Sequence, residues 1–173
     1  MKTKITQLLL LILICTMPVL AQMSNRKAEK EERRVAKEKE IAALIESKNF
    51  EFRANRAIPT GFRSVDLTTN PNFIRFSPDS IVSEMPFFGR AYTVPYGGDA
   101  GLKFEGKPEL FKIGKKKKNY SVEAKVKADN DFYTLNLTIS FEGRSSMSVT
   151  CNNRASISYN GEIYPQEKPK GRK

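Results

Sequence analysis

The chain has 173 residues, of which 39% are hydrophobic and 28% charged, and 30 Lys and Arg outnumber 19 Asp and Glu to give a formal charge of +11. It contains no His, which excludes a Ser-His-Asp triad, a Cys-His pair and any imidazole metal ligand. There is no Trp, and the two Cys leave little room for disulfide stapling.

Residues 1–21 read as a secretory signal peptide. Lys2 and Lys4 form a basic start, residues 8–14 are an unbroken apolar run continuing to Leu20 past Pro18, and Ala21 offers a small cleavage residue with Val19 two positions earlier. The apolar run over residues 5–20 falls short of the roughly 20 residues that span hydrocarbon. A membrane anchor and a lipid on Cys15 are the alternatives; for the second, Ile14 stands where a lipobox wants a small residue. Removing this leader takes away Lys2 and Lys4, lowers +11 to +9 and leaves 152 residues with Cys151 as the one thiol. That is one domain, able to bury about two thirds of its unfolded surface. The expected location is the periplasm, the cell envelope or the exterior, with membrane contact but no span after cleavage. A basic protein placed there meets anionic glycan or lipid surfaces rather than nucleic acid.

Residues 22–48 read as a charged helix. Between Arg26 and Glu40 only Ala28, Val35 and Ala36 are apolar, and Glu29/Arg33 and Lys27/Glu31 are spaced for ion pairs. Ile41, Leu44 and Ile45 then fall at helical spacing, so the second half docks on a core while the first half projects into solvent.

Residues 49–164 read as an antiparallel β domain. Phe50, Phe52 and Ala54 alternate with polar neighbours until Pro59-Thr60-Gly61. Residues 64–68, 73–76, 81–84 and 89–94 read as short strands, and 102–105 and 109–113 as weaker ones. Strict alternation follows over 120–128, 133–141 and 147–151, with turns at Asp129-Asn130 and Glu142-Gly143. Ala155, Ile157 and Tyr159 face in, and Asn160-Gly161 predicts a tight hairpin into 162–164. Residues 165–173 are Pro, Gly, Lys and Arg rich and read as a disordered basic tail. The fold class is α+β, an N-terminal helix packed on a curved, mainly antiparallel sheet; a closed or partly open barrel is the alternative.

The chemistry-bearing residues are few. Cys151 lies on the apolar register and reads as buried rather than nucleophilic. Glu84, Asp99 and Glu105 are the acids nearest the glycine-rich loop at 95–101. That loop and its flanks form the candidate ligand-binding segment. Gly97 and Gly98 let backbone amides approach a partner, and Asp99 lies beside them. Arg90 and Lys103 supply positive charge, and Tyr92 and Tyr96 can stack or hydrogen bond. The competing reading is a turn region whose tyrosines pack on the sheet. Lys115, Lys116, Lys117 and Lys118 read as a solvated hairpin tip that can also touch an anionic surface. Asn136-Leu137-Thr138 fits an N-glycan acceptor and Asp79-Ser80-Ile81 a short bacterial O-glycosylation signal. No catalytic residue, metal site, cofactor or oligomeric state is assigned.

Arg56-Ala57-Ile58-Pro59, Ser64-Val65-Asp66-Leu67-Thr68, Pro86-Phe87-Phe88-Gly89-Arg90-Ala91, the loop over 96–101 and Asn152-Asn153-Arg154 together resemble an uncharacterised Bacteroidetes envelope family, domain of unknown function 4251. The resemblance spans most of residues 40–164. It implies a secreted or envelope-exposed domain and brings no catalytic residues. The resulting expectation is an exported, non-catalytic envelope binding module. A small-ligand carrier with a barrel cavity and a carboxylate-based glycan hydrolase are the alternatives.

Overall fold

The computed structural model describes residues 26–92, 101–128 and 131–166. Residues 26–47 are helical (α1), and the chain divides into two units, residues 1–37 and residues 38–173. In the first unit the described side chains are exposed, and Arg33 pairs with Glu29 at 2.6 Å as its spacing predicts. Glu31 pairs with Arg34, also at 2.6 Å, instead of Lys27. No helix of the described residues is long and apolar enough to cross a membrane. The predicted leader lies outside the described residues.

The second unit opens with the last turns of α1 and continues as ten strands. They are β1 (Phe50–Pro59), β2 (Val65–Asp66), β3 (Phe73–Phe76), β4 (Ile81–Met85) and β5 (Leu102–Gly106), then β6 (Pro108–Lys115), β7 (Asn119–Ala128), β8 (Asp131–Ser140), β9 (Arg144–Thr150) and β10 (Ile157–Pro165). The hydrogen-bonded order is β5-β4-β3-β1-β10-β9-β8-β7-β6, antiparallel throughout, with β2 paired to β1. The two end strands, β5 and β6, are separated in sequence by Lys107 alone, so the sheet must roll round for its ends to meet. At that corner a Cβ on Gly106 would lie 2.7 Å from Val126 and 2.8 Å from the Lys127 carbonyl. Inside, the Phe104 ring of β5 stacks on Tyr133 of β8 at 4.0 Å. The helix-on-curved-sheet architecture is thus present, and the sheet is nearly closed into a barrel.

Alternation fills the inside with side chains. Phe50, Phe52, Phe76, Leu135 and Tyr159 are fully buried, and Phe50 stacks on Phe76 at 4.7 Å. Ile41 and Ile45 of α1 join this core at 0% exposure, as their spacing predicts. Ile41 packs so closely on the β8–β9 turn that a Cβ on Gly143 would come within 2.9 Å of it. Gly143 also has φ +92°, a backbone conformation in which a side chain is strained.

Three local expectations need correction. Asn160-Gly161 is not a hairpin: β10 runs straight through it, and Gly161 is not among the positive-φ glycines. Gly161 is there because β10 presses on β1, where an added Cβ would lie 2.0 Å from the Arg53 carbonyl oxygen. The β1 ladder is irregular at this point, shifting register between Ala54 and Arg56. Residues 89–92 form no strand, only an isolated Ala91–Arg154 bridge. Cys151 lies one residue past β9 and is half-buried. The turn predicted at Asp129-Asn130 lies outside the described residues. At the C-terminal end β10 extends through Pro165, and the Gln166 side-chain amide donates to the Phe76 carbonyl at 2.7 Å.

Candidate functional site

The candidate segment leaves the sheet at the end of β4 and returns in β5, a pair in antiparallel register with Glu84 opposite Lys103. Both of its stems are tied to the turn between β9 and β10. The Tyr92 N–H donates to the Asn153 carbonyl at 2.8 Å, and the Ala155 N–H to the Arg90 carbonyl at 2.9 Å. The Arg154 guanidinium donates to the Gly101 carbonyl at 2.9 Å and sits 5.2 Å from the centre of the Phe87 ring. The Tyr159 hydroxyl donates to the Pro86 carbonyl at 2.7 Å from a fully buried ring. Burial pushes that phenol far above its ordinary ionisation range, with nearby Arg154 opposing the shift.

The clamp is itself held from beneath. Asp131 is 3% exposed, and its carboxylate accepts the N–H groups of Phe132 at 2.8 Å, Asn152 at 3.0 Å and Asn153 at 3.3 Å. A buried carboxylate satisfied by backbone donors fixes a turn that has no sheet ladder of its own. Burial, and next the Asp131 charge, push the Cys151 thiol up. That supports a structural reading of this cysteine.

Of the seven residues singled out from sequence, the structure places three. Arg90 and Tyr92 sit on the pinned stem with exposed side chains, Tyr92 at 66% exposure. Lys103 is exposed on β5 and lines a groove of about 450 Å³ with Glu84, Pro86, Phe87, Gly101 and Pro71. Arg90 and Tyr92 do not line that groove. Tyr96, Gly97, Gly98 and Asp99 lie outside the described residues. Among the described residues no three His, Cys, Asp or Glu gather as metal ligands.

Sequence reasoning missed Arg154, Asp131, Tyr159 and Asn72. Asn72 accepts the Ala54 N–H at 2.8 Å and donates to the Ala54 carbonyl at 3.0 Å, bridging the irregular part of β1. Each acts across more than fifteen residues of sequence on a backbone group, which leaves no local pattern to read. The signal that was available is positional: Asp131 and Arg154 both border turns.

The Lys115–Lys118 run forms a tip, closed by the Lys116 N–H donating to the Asn119 carbonyl at 2.8 Å. Lys115 itself lies over the Tyr120 and Phe141 rings at 5.5 and 5.8 Å.

No curated protein matches the chain. It is similar in fold to the crystal structure of a DUF4251 family protein from Bacteroides eggerthii DSM 20697, with a TM-score of 0.61 and 18% identity over 75% of this chain and 88% of that one. The family model for the domain of unknown function DUF4251 matches residues 32–163, so the chain belongs to that family.

Proposed function

We propose that this protein is an exported, non-catalytic binding module of the cell envelope, which meets an anionic glycan or lipid surface through the rim formed by Arg90, Tyr92 and Lys103. The observation that carries the reading is the clamp. Arg154, Asn153 and Tyr159 fix the backbone on both sides of the segment, while Arg90 and Tyr92 keep their side chains in solvent. Loops held on a rigid scaffold are where binding residues concentrate. Arg90 and Lys103 are two of the cations behind the chain's formal charge of +11.

Two observations favour this over the alternatives. The barrel interior is packed with aromatic and aliphatic side chains, which removes the lumen a carrier needs. The two buried carboxylates among the described residues are committed, Glu51 to Arg53 and Arg75 and Asp131 to three backbone N–H groups. Neither is left to attack or protonate a substrate.

Binding of the purified protein to vesicles of anionic phospholipid, to zwitterionic vesicles and to an array of acidic glycans tests the reading. Arg90→Ala with Lys103→Ala should weaken binding to the anionic probe. Equal binding by this variant and the parent would rule out the rim. Intact mass of the protein secreted by its own host should correspond to a chain lacking residues 1–21.

A further inference from the structure

Single exposed hydrophobic side chains are ordinary on a protein surface, but a cluster of them is not. Among the described residues the three most exposed large hydrophobics are all aromatic: Tyr92 at 66%, Phe62 at 57% and Phe132 at 48%. They lie far apart in sequence, yet one turn, between β9 and β10, gathers them. Its Asn153 carbonyl accepts the Tyr92 N–H. Its Asn152 and Asn153 N–H groups donate to Asp131, whose carboxylate also accepts the Phe132 N–H. Its Ser156 carbonyl accepts Thr60 Oγ1 at 2.8 Å, and the Phe62 N–H closes the adjoining turn on Pro59. The three aromatic residues therefore stand round one end of the barrel.

The charge at this end has one sign. Residues 58–63, 87–92, 125–128, 131–134 and 150–156 meet here, through those bonds and through the Lys127–Phe132 and Ala128–Asp131 pairs of the β7–β8 ladder. They hold five cations and one acid, and that acid, Asp131, is buried. Arg63, Arg90 and Lys127 are exposed among the rings. The acids on strands that lead here, Asp66, Glu84 and Glu123, stand opposite Arg56, Lys103 and Lys112 in their ladders. The backbone is already satisfied. The N–H groups of Asn152, Asn153 and Ala155 and the carbonyls of Arg90, Asn153 and Ser156 are all bonded within the protein. What the end presents is apolar tips among cations.

We propose that this end docks on the surface of an anionic phospholipid bilayer, with the Phe62, Tyr92 and Phe132 rings entering the headgroup region and Arg63, Arg90 and Lys127 meeting lipid phosphates. This rests on the reading that Arg90 and Tyr92 face an anionic envelope surface, and it names that surface. Interfacial binding grows with buried apolar area and with attraction to anionic lipid, and this end supplies both. Backbone groups that are already paired lower the cost of leaving water. A glycan is recognised through hydrogen bonds, which the turn has spent internally, and two of the three rings carry no polar atom. A second copy docked through the same end would set five cations against the same five.

The test is flotation of the protein recovered from its own host with vesicles of phosphatidylcholine, alone or mixed with phosphatidylglycerol. The parent should prefer the mixed vesicles. Phe62→Ser and Phe132→Ser should each weaken that binding about tenfold, by removing part of the inserted apolar surface. Arg63→Gln with Lys127→Gln should weaken it about ten- to thirtyfold, the loss of two cations near the lipid. These positions are exposed, so melting temperatures should change little. The chain has no Trp, so Phe132→Trp carries a single indole. Brominated lipid should quench it, and should not quench the indole of Ile113→Trp, beside the lysine tip at the other end of β7. Full binding by both serine variants, as the apolar run over residues 8–20 alone would give, would overturn the proposal. So would an unquenched indole in Phe132→Trp, quenching only in Ile113→Trp, or no preference for the mixed vesicles. Acidic glycans bound through Arg90 and Lys103 without vesicle binding would overturn it and leave the anionic-surface reading standing. Binding to neither probe would end both.

Discussion

Arg154 donates to the carbonyl of Gly101 at 2.9 Å across 53 residues of sequence, and the same guanidinium lies over the Phe87 ring. One side chain therefore holds both sides of the segment between β4 and β5. Arg154→Ala removes a charge-assisted hydrogen bond and a cation–π contact and should cost about 1–3 kcal/mol. Arg154→Lys should recover little of this, because an ammonium lacks the planar fork that can donate and stack together. Urea unfolding measures the cost. Amide exchange at Leu102 and Phe104 should accelerate in both variants, while exchange in β7 and β8 should not change.

Gly161 gives the sharpest steric prediction. An alanine Cβ there meets the Arg53 carbonyl oxygen at 2.0 Å and the Ala54 Cα at 2.8 Å, all backbone that cannot rotate away. Gly161→Ala should cost about 3 kcal/mol or more, the upper range for overpacking. Asn160→Thr should change stability by less than about 0.5 kcal/mol, because position 160 is an exposed strand residue. In a tight hairpin turn the ranking would reverse, since threonine at positive φ is strained there. Paired chemical denaturation of the two variants decides between strand and turn.

The same pair of residues shows where sequence reasoning runs out. Alternation placed the long strands β7, β8 and β9, and helical spacing placed the docking residues Ile41 and Ile45, because burying one face imposes a period that local sequence must obey. Asn160-Gly161 obeys a local rule too, but a glycine required by a crossing strand looks identical to a glycine required by a turn. Only the partner strand distinguishes them. Over 89–92, the described part of the strand expected at 89–94, no strand forms for a related reason: Ala91 has a β-like neighbourhood but finds only Arg154 opposite it. Of the candidate site, sequence showed Arg90, Tyr92 and Lys103. Alternation showed that Tyr159 faces in, but its bond to Pro86, and the positioning roles of Arg154 and Asp131, act at long range and left no periodic trace.

Tyr159 predicts a pH dependence. Its ordinary value is 10.0 and burial raises it in the folded protein. Above pH 10.0 the unfolded chain loses this proton while the folded chain keeps it, so the unfolded state binds fewer protons and stability falls as pH rises. The slope from one such group approaches about 1.4 kcal/mol per pH unit until the folded phenol also ionises. At neutral pH the group is protonated in both states and contributes nothing of this kind. Tyr159→Phe should lose about 1 kcal/mol at pH 7 by leaving the Pro86 carbonyl unpaired, and should show a shallower decline above pH 10.0. Denaturant midpoints of parent and variant from pH 7 to 11 test this, and parallel curves would refute it.

Glu51 predicts a non-additive response. It sits on the polar register of β1 yet is 1% exposed, with one carboxylate oxygen 2.5 Å from Arg53 Nε and the other 2.6 Å from Arg75 Nε. The arginines are 43% and 44% exposed, and they lie over the Tyr164 and Phe73 rings respectively. The carboxylate therefore depends on the arginines more than they depend on it. Glu51→Gln leaves two partly hydrated cations and should cost about 1–2 kcal/mol, less than a fully buried pair because solvent screens both arginines. Arg53→Ala or Arg75→Ala alone leaves one partner on the carboxylate and should cost about 1 kcal/mol each. Removing both strands a buried charge, for which about 3–5 kcal/mol is expected, well above the sum of the single changes. Adding Glu51→Gln to that double variant should restore much of the loss, because the stranded charge is then gone. A thermodynamic cycle over these variants, read by urea unfolding at constant ionic strength, measures the coupling directly. Simple additivity would show that the apparent burial of Glu51 is relieved by water in solution.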